Sequence, residues 1–153
     1  MSDKKLARYK RIQDQLEALF TQTSDPYARM ATAAAVLHHK IGYYFWTGFY
    51  LLKDGELTVG PYQGSVACLV LKKDTGVCWE GVNTEKPVIV DDVHTFPGHI
   101  ACDSRSKSEI VIPLRDNKGK TVGVLDIDSD KTASFDQSDA EGLAAIVSMI
   151  YGK

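Results

Sequence analysis

The apolar and polar positions of this 153-residue chain change period several times, and each change marks an element. Leu6, Tyr9, Ile12, Leu16, Leu19 and Phe20 recur at steps of three and four, the stripe of an amphipathic helix. Thr21 to Ser24 breaks that stripe. Asp25 before Pro26 reads as an N-cap with proline in the first turn, and an alanine-rich helix should then run to about Lys40 and stop near Gly42. Residues 43–53 are aromatic and aliphatic, the signature of a strand. Asp54-Gly55 is a two-residue hairpin signal, and 56–62 is the returning strand. Period two sets Tyr44, Trp46, Gly48 and Tyr50 on one face and Phe45, Thr47, Phe49 and Leu51 on the other.

Further along, the pattern predicts a short strand at about 66–71, a short helix within 75–85 and a strand from Pro87 to Val90. Residues 92–108 are irregular, and a loop of that length in a compact domain is usually functional or disordered. Ile110–Leu114 and Thr121–Ile127 flank an Asp116-Asn117-Lys118-Gly119 turn. A last helix begins at a cap near Asp136, with Phe135 as a hydrophobic staple, and should bury Leu143, Ile146, Val147 and Ile150. The expected fold is α+β in one domain, 1–153: a mainly antiparallel central sheet, helices on one face and a loop-covered pocket on the other. Residues 1–22 carry no motif and read as a packing or dimer element.

Composition narrows the function classes. Lys and Arg number 18 and Asp and Glu 20, so no basic excess points to nucleic acid. The longest mostly apolar run, Tyr43–Leu52, is far below the ~20 residues of a membrane helix. The charged N-terminus has no apolar signal core, which leaves a reducing cytoplasm as the expected compartment.

Three cysteines, Cys68, Cys78 and Cys102, form no C-x-x-C pair, so neither a zinc ribbon nor a thioredoxin-type motif fits. They read either as small buried hydrophobes or as reactive thiols. The second reading is strongest for Cys102, in the long loop beside His99, Arg105 and Lys107, since positive charge favours the thiolate; Asp103 opposes it. His94, His99 and Cys102 lack a fourth ligand at metal spacing, so no metal is expected. His38 and His39 fit packing or surface roles. Asp126 and Asp128 share one face of one strand, and Glu109 opens the strand before it. If these acids converge in a shielded pocket they can hold an ammonium, and they raise one another's pKa until one stays protonated as a general acid. Trp46 and Tyr50 share a face across Gly48, where a missing side chain leaves room for a ligand.

The stretches Gly60-Pro-Tyr-Gln-Gly-Ser-Val-Ala-Cys68, Gly76-Val-Cys78, Asp92-Val-His-Thr-Phe-Pro-Gly-His-Ile-Ala-Cys102-Asp, Ser108-Glu109-Ile-Val-Ile-Pro and Gly123-Val-Leu-Asp126-Ile-Asp128-Ser resemble the free methionine-(R)-sulfoxide reductases, stand-alone GAF-domain enzymes. Trp46-Thr-Gly-Phe-Tyr50 matches their first strand, and the run from Phe96 to Asp103 is the most specific piece. Phe45 departs from the polar residue expected before that tryptophan. The resemblance implies reduction of free L-methionine-(R)-sulfoxide to methionine. It implies Cys102 as the attacking thiol that becomes a sulfenic acid, and Cys68 as the better match for the resolving thiol, with Cys78 also implicated. It further implies Trp46, Tyr50, Glu109, Asp126 and Asp128 as pocket residues, no bound cofactor, and thioredoxin (with NADPH and thioredoxin reductase) as external reductant. The alternatives are a non-catalytic GAF sensor of a nucleotide or small metabolite, which the absence of an output segment after Lys153 disfavours, and a reductase of peptide-bound sulfoxide.

Overall fold

The computed structural model describes residues 2–99 and 102–152. Ile100 and Ala101, inside the Phe96–Asp103 run singled out in the sequence, lie outside them. The helices are α1 (Asp3–Phe20), α2 (Pro26–Lys40), α3 (Gly76–Thr84) and α4 (Gln137–Val147). The strands are β1 (Trp46–Lys53), β2 (Glu56–Gln63), β3 (Val70–Leu71), β4 (Val88–Val90), β5 (Ser108–Arg115) and β6 (Thr121–Ser129). They form one six-stranded sheet in the order β3-β2-β1-β6-β5-β4, with every neighbour antiparallel.

Local chemistry sets the ends of these elements. The Asp25 side chain accepts from the Ala28 N–H, satisfying a donor that the first turn of α2 leaves free. Asp136 and Asp139 form a reciprocal capping box on α4. Asp54 and Gly55 both have positive φ, 52° and 79°, the backbone that a two-residue hairpin turn demands.

α1, α2 and α4 cover one face of the sheet. Tyr9, Ile12 and Leu16 meet Met30, Leu37, Phe49, Ile110, Leu125, Leu143 and Ile146 in the larger core. α1 is bound into this core: the buried Asp139 carboxylate accepts from Tyr9 Oη at 2.6 Å, Tyr43 Oη at 2.5 Å and Lys5 Nζ at 2.6 Å. α3 lies on the opposite face, over a second cluster containing Trp46, Tyr50, Cys78, Trp79, Val111 and Val124. One helix therefore shares the loop-covered face.

Two local expectations change. Strand pairing starts at Trp46, so the period-two rule does not reach the two residues before it: Tyr44 packs with the helix-side core and Phe45 with the pocket-side cluster. The strand expected at 66–71 shrinks to Val70–Leu71. The segment before it leaves the ladder because side chains of β1 take its carbonyls: Trp46 Nε1 donates to Ser65 O at 3.0 Å and Tyr50 Oη to Cys68 O at 3.1 Å.

Candidate active site

Register builds the floor of the site. Trp46 pairs with Asp128 and Asp128 with Glu109, so these three form one row across β1, β6 and β5. Two positions along each strand, the next row on the same face is Gly48, Asp126 and Val111. Directly opposed residues point to the same side of a sheet, so all three carboxylates and the indole share the pocket face. Above them is a cavity of about 90 Å³. Cys68, Cys78, His99 and Cys102 also line it, together with the start of α3.

The aromatic wall is a stack. The Trp46 ring lies 5.8 Å from Tyr50 and 5.2 Å from Tyr62, both near parallel. Gly48 serves this stack rather than the ligand directly. A Cβ there would lie 2.3 Å from Tyr62 Cβ and 2.6 Å from the Trp46 ring, so the space that the glycine leaves is occupied by the indole.

The floor carboxyls are all shifted toward their neutral forms. Burial, then Asp126 and Asp128, push the Glu109 carboxyl well above the ordinary range. Burial, then Asp126 and Asp103, do the same for Asp128, which is partly open to the cavity. Burial also raises Asp126, with hydrogen bonding to Glu109 and Cys78 partly offsetting it. His99 Nδ1 stands 3.9 Å from Glu109 Oε1. That separation is too long for a hydrogen bond, and burial lowers the histidine's pKa. Both shifts favour the neutral forms of the two groups over an ion pair. Cys78 Sγ is 4.0 Å from Glu109 Oε2, and burial, with Asp126 and Glu109 next, drives its thiol pKa far upward. Cys78 is accordingly a weak nucleophile where it stands.

The other two cysteines are joined. Cys68 and Cys102 form a disulfide across 34 residues, with Cα atoms 5.5 Å apart, and it ties together the two loops at the pocket mouth. Cys102 is exposed. The same loops are bridged by Ser65 Oγ donating to Asp103 Oδ2 at 2.9 Å. Arg105 does not face Cys102 as a free charge. Its guanidinium donates to both Asp103 oxygens, at 3.0 and 2.7 Å, and covers the Phe45 ring at 4.8 Å. The basic neighbour read from the sequence is thus spent on the acidic one. His94 is exposed and the Cys102 sulfur is bonded to Cys68, so the H-x4-H-x2-C spacing assembles no ligand set. His38 Nδ1 meets Thr47 Oγ1 at 3.0 Å on the helix side, and His39 is exposed.

Every pocket residue singled out in the sequence reaches this one site. Sequence reasoning missed Ser65 and the start of α3. The Asp103-Ser-Arg105 spacing did carry a local signal, since Asp103 Oδ1 accepts the Arg105 N–H at 2.9 Å in an Asx turn. Nothing local marked Ser65 as its partner.

The profile of the GAF domain matches residues 28–150. GAF domain-containing protein A of Dictyostelium discoideum is 44% identical over 94% of this chain and 90% of its own length. The free methionine-R-sulfoxide reductase of Escherichia coli is 39% identical over 93% of this chain and 86% of its own. The free methionine-R-sulfoxide reductase of Neisseria meningitidis, solved in complex with its substrate, superposes with a TM-score of 0.91 at 40% identity, covering 99% of this chain and 90% of that one. The chain belongs to the GAF domain family, in the branch of the free methionine-R-sulfoxide reductases.

Proposed function

We propose that this pocket reduces free L-methionine-(R)-sulfoxide to methionine. The observation that carries the reading is the Cys68–Cys102 disulfide at the mouth of an acid-floored, aromatic-walled cavity. The reduced enzyme attacks the sulfoxide sulfur with the Cys102 thiolate. A neutral carboxyl from Glu109, Asp126 or Asp128 protonates the departing oxygen, since a sulfoxide is a poor electrophile until its oxygen gains a proton. The sulfoxide S–O bond breaks as the hydroxyl passes to the Cys102 sulfur, so methionine leaves and Cys102 becomes a sulfenic acid. The Cys68 thiol then attacks that sulfur and water departs, leaving a disulfide. Two thiols are oxidised and one sulfoxide is reduced. A dithiol such as thioredoxin restores both thiols by exchange, with NADPH and thioredoxin reductase behind it. Trp46 packs on the S-methyl group, and an ionised carboxylate holds the ammonium.

The ammonium seat supplies the test. Free methionine-(R)-sulfoxide with a dithiol reductant should yield methionine. The N-acetyl analogue, lacking that charge, should lose about 10²-fold or more in kcat/KM, as when one partner of a buried charge pair is deleted. Equal turnover of both substrates would make this a peptide-level reductase, and tight nucleotide binding without methionine would make it a sensor.

Resolution separates the remaining thiols. Cys68→Ser should release one methionine per chain in a single turnover, then cycle with thioredoxin about tenfold or more slowly, because the thiol held beside Cys102 is gone. A stoichiometric burst followed by slow steady state is the expected trace. Undiminished cycling would move the resolving role to Cys78.

A further inference from the structure

On the pocket floor, three different ligand atoms converge. Cys78 Sγ, a Glu109 oxygen and an Asp126 oxygen all lie within 4.8 Å of one another, and all three residues are buried. Among the described residues Cys78 is the free cysteine. A second observation points to a missing partner. Asp126 is 5% exposed, and its Oδ1 has no hydrogen-bond partner. A buried carboxylate oxygen without a donor is rare in native structures and calls for a proton donor or a cation. The Nε2 of His99, whose ring abuts Glu109, is equally unpartnered.

We propose that Cys78, Glu109 and Asp126 bind a divalent cation of the zinc type when no amino acid occupies the pocket. One sulfur and two carboxylate oxygens are three of the four ligands that zinc takes, with His99 or water as the fourth. At the usual bond lengths of about 2.3 Å to sulfur and 2.0–2.2 Å to oxygen, tetrahedral ligands stand about 3.5 Å apart. The cluster therefore has to contract by about 1 Å at its widest, in this proposal by side-chain rotation into the cavity. Metal binding would displace the Cys78 thiol proton to solvent, and the resulting thiolate selects zinc over magnesium and calcium, which prefer oxygen alone. The binding itself is independent of the reductase reading. Its consequence rests on that reading: the cation sits where the substrate ammonium would, so zinc inhibits competitively.

The oxidised protein gives a clean test, because the Cys68–Cys102 disulfide leaves Cys78 as the free thiol. Titration of the oxidised protein with Co²⁺ should bring up a sulfur-to-cobalt charge-transfer band and strong visible tetrahedral bands, saturating at one equivalent and displaced by Zn²⁺. Cys78→Ser should remove the charge-transfer band, and Asp126→Asn should weaken binding about tenfold or more while the circular dichroism stays native. Absence of the band at one equivalent, or a band indifferent to Asp126→Asn, overturns the site. Free methionine should compete with cobalt. Cobalt bound with its sulfur band but not displaced by methionine upholds the metal site and overturns both the competition and the placement of the amino acid on this floor.

Discussion

Cys102→Ser should abolish reduction of the free sulfoxide, lowering single-turnover methionine release by about a thousandfold or more. A hydroxyl cannot supply a nucleophilic anion near neutral pH as a thiol can, and deletion of a covalent nucleophile ranks among the largest single effects on a rate. The fold should survive. Cys102 is exposed, and what the substitution removes is the cross-link rather than packing. Closing a 34-residue loop stabilises a chain by about 4 kcal/mol on the loop-entropy relation. Thermal melts should therefore place the variant level with reduced wild type and below oxidised wild type. A variant that melts in this way and makes no methionine places the nucleophile at Cys102. Full activity would transfer the attack to another sulfur, and Cys78 is poorly suited to it, since burial, and after it Asp126, Glu109 and Asp128, push its thiol pKa far upward.

The second large effect concerns the proton. Glu109 has a pKa raised first by burial and then by Asp126 and Asp128, which share its face. A general acid works in its protonated form, so the rate should fall as pH rises through that elevated pKa. Glu109→Gln cannot donate. Its kcat should drop by roughly 10²–10⁴-fold, and the alkaline limb that Glu109 imposes should vanish from the profile. Stability should move the opposite way. A carboxyl whose folded pKa exceeds its unfolded value of about 4.3 contributes stability that is complete below that value and is lost as pH rises through the folded pKa. The amide never ionises, so the alkaline loss of Tm expected of wild type should be smaller in Glu109→Gln. Asp126→Asn and Asp128→Asn are the parallel cases, since burial raises both. Activity profiles unchanged in all three amides would remove the floor carboxylates from the donor role. A stability effect without a rate effect would leave them as binding groups alone.

Much of this architecture follows from local rules. The caps at Asp25 and Asp136, the positive-φ turn at Asp54-Gly55 and the helical stripe from Tyr9 to Phe20 need only near neighbours. Local rules fail where a long-range partner outbids them. Tyr44 escapes the strand period because its hydroxyl meets Tyr9 Oη at 2.6 Å on the helix side. Residues 65–68 escape the sheet because Trp46 and Tyr50 claim their carbonyls. Leu19, part of the predicted stripe, stays exposed at 38%.

For the site, the residues themselves and their faces were legible in the chain. Strand periodicity alone put Asp126 with Asp128, and Trp46 with Tyr50, because side-chain direction along a strand is a one-dimensional property. Their assembly was not legible. The row Trp46–Asp128–Glu109 depends on the registers of two strand pairs, and β1 and β6 are far apart in the chain. The bond between Cys68 and Cys102, the spending of Arg105 on Asp103 and the approach of Cys78 to Glu109 all depend on where loops and α3 come to rest on the finished sheet. Dielectric and proximity are likewise properties of the assembled volume. A carboxyl in the sequence has its ordinary pKa, and that pKa rises only after burial has removed its water and folding has brought two more carboxyls beside it.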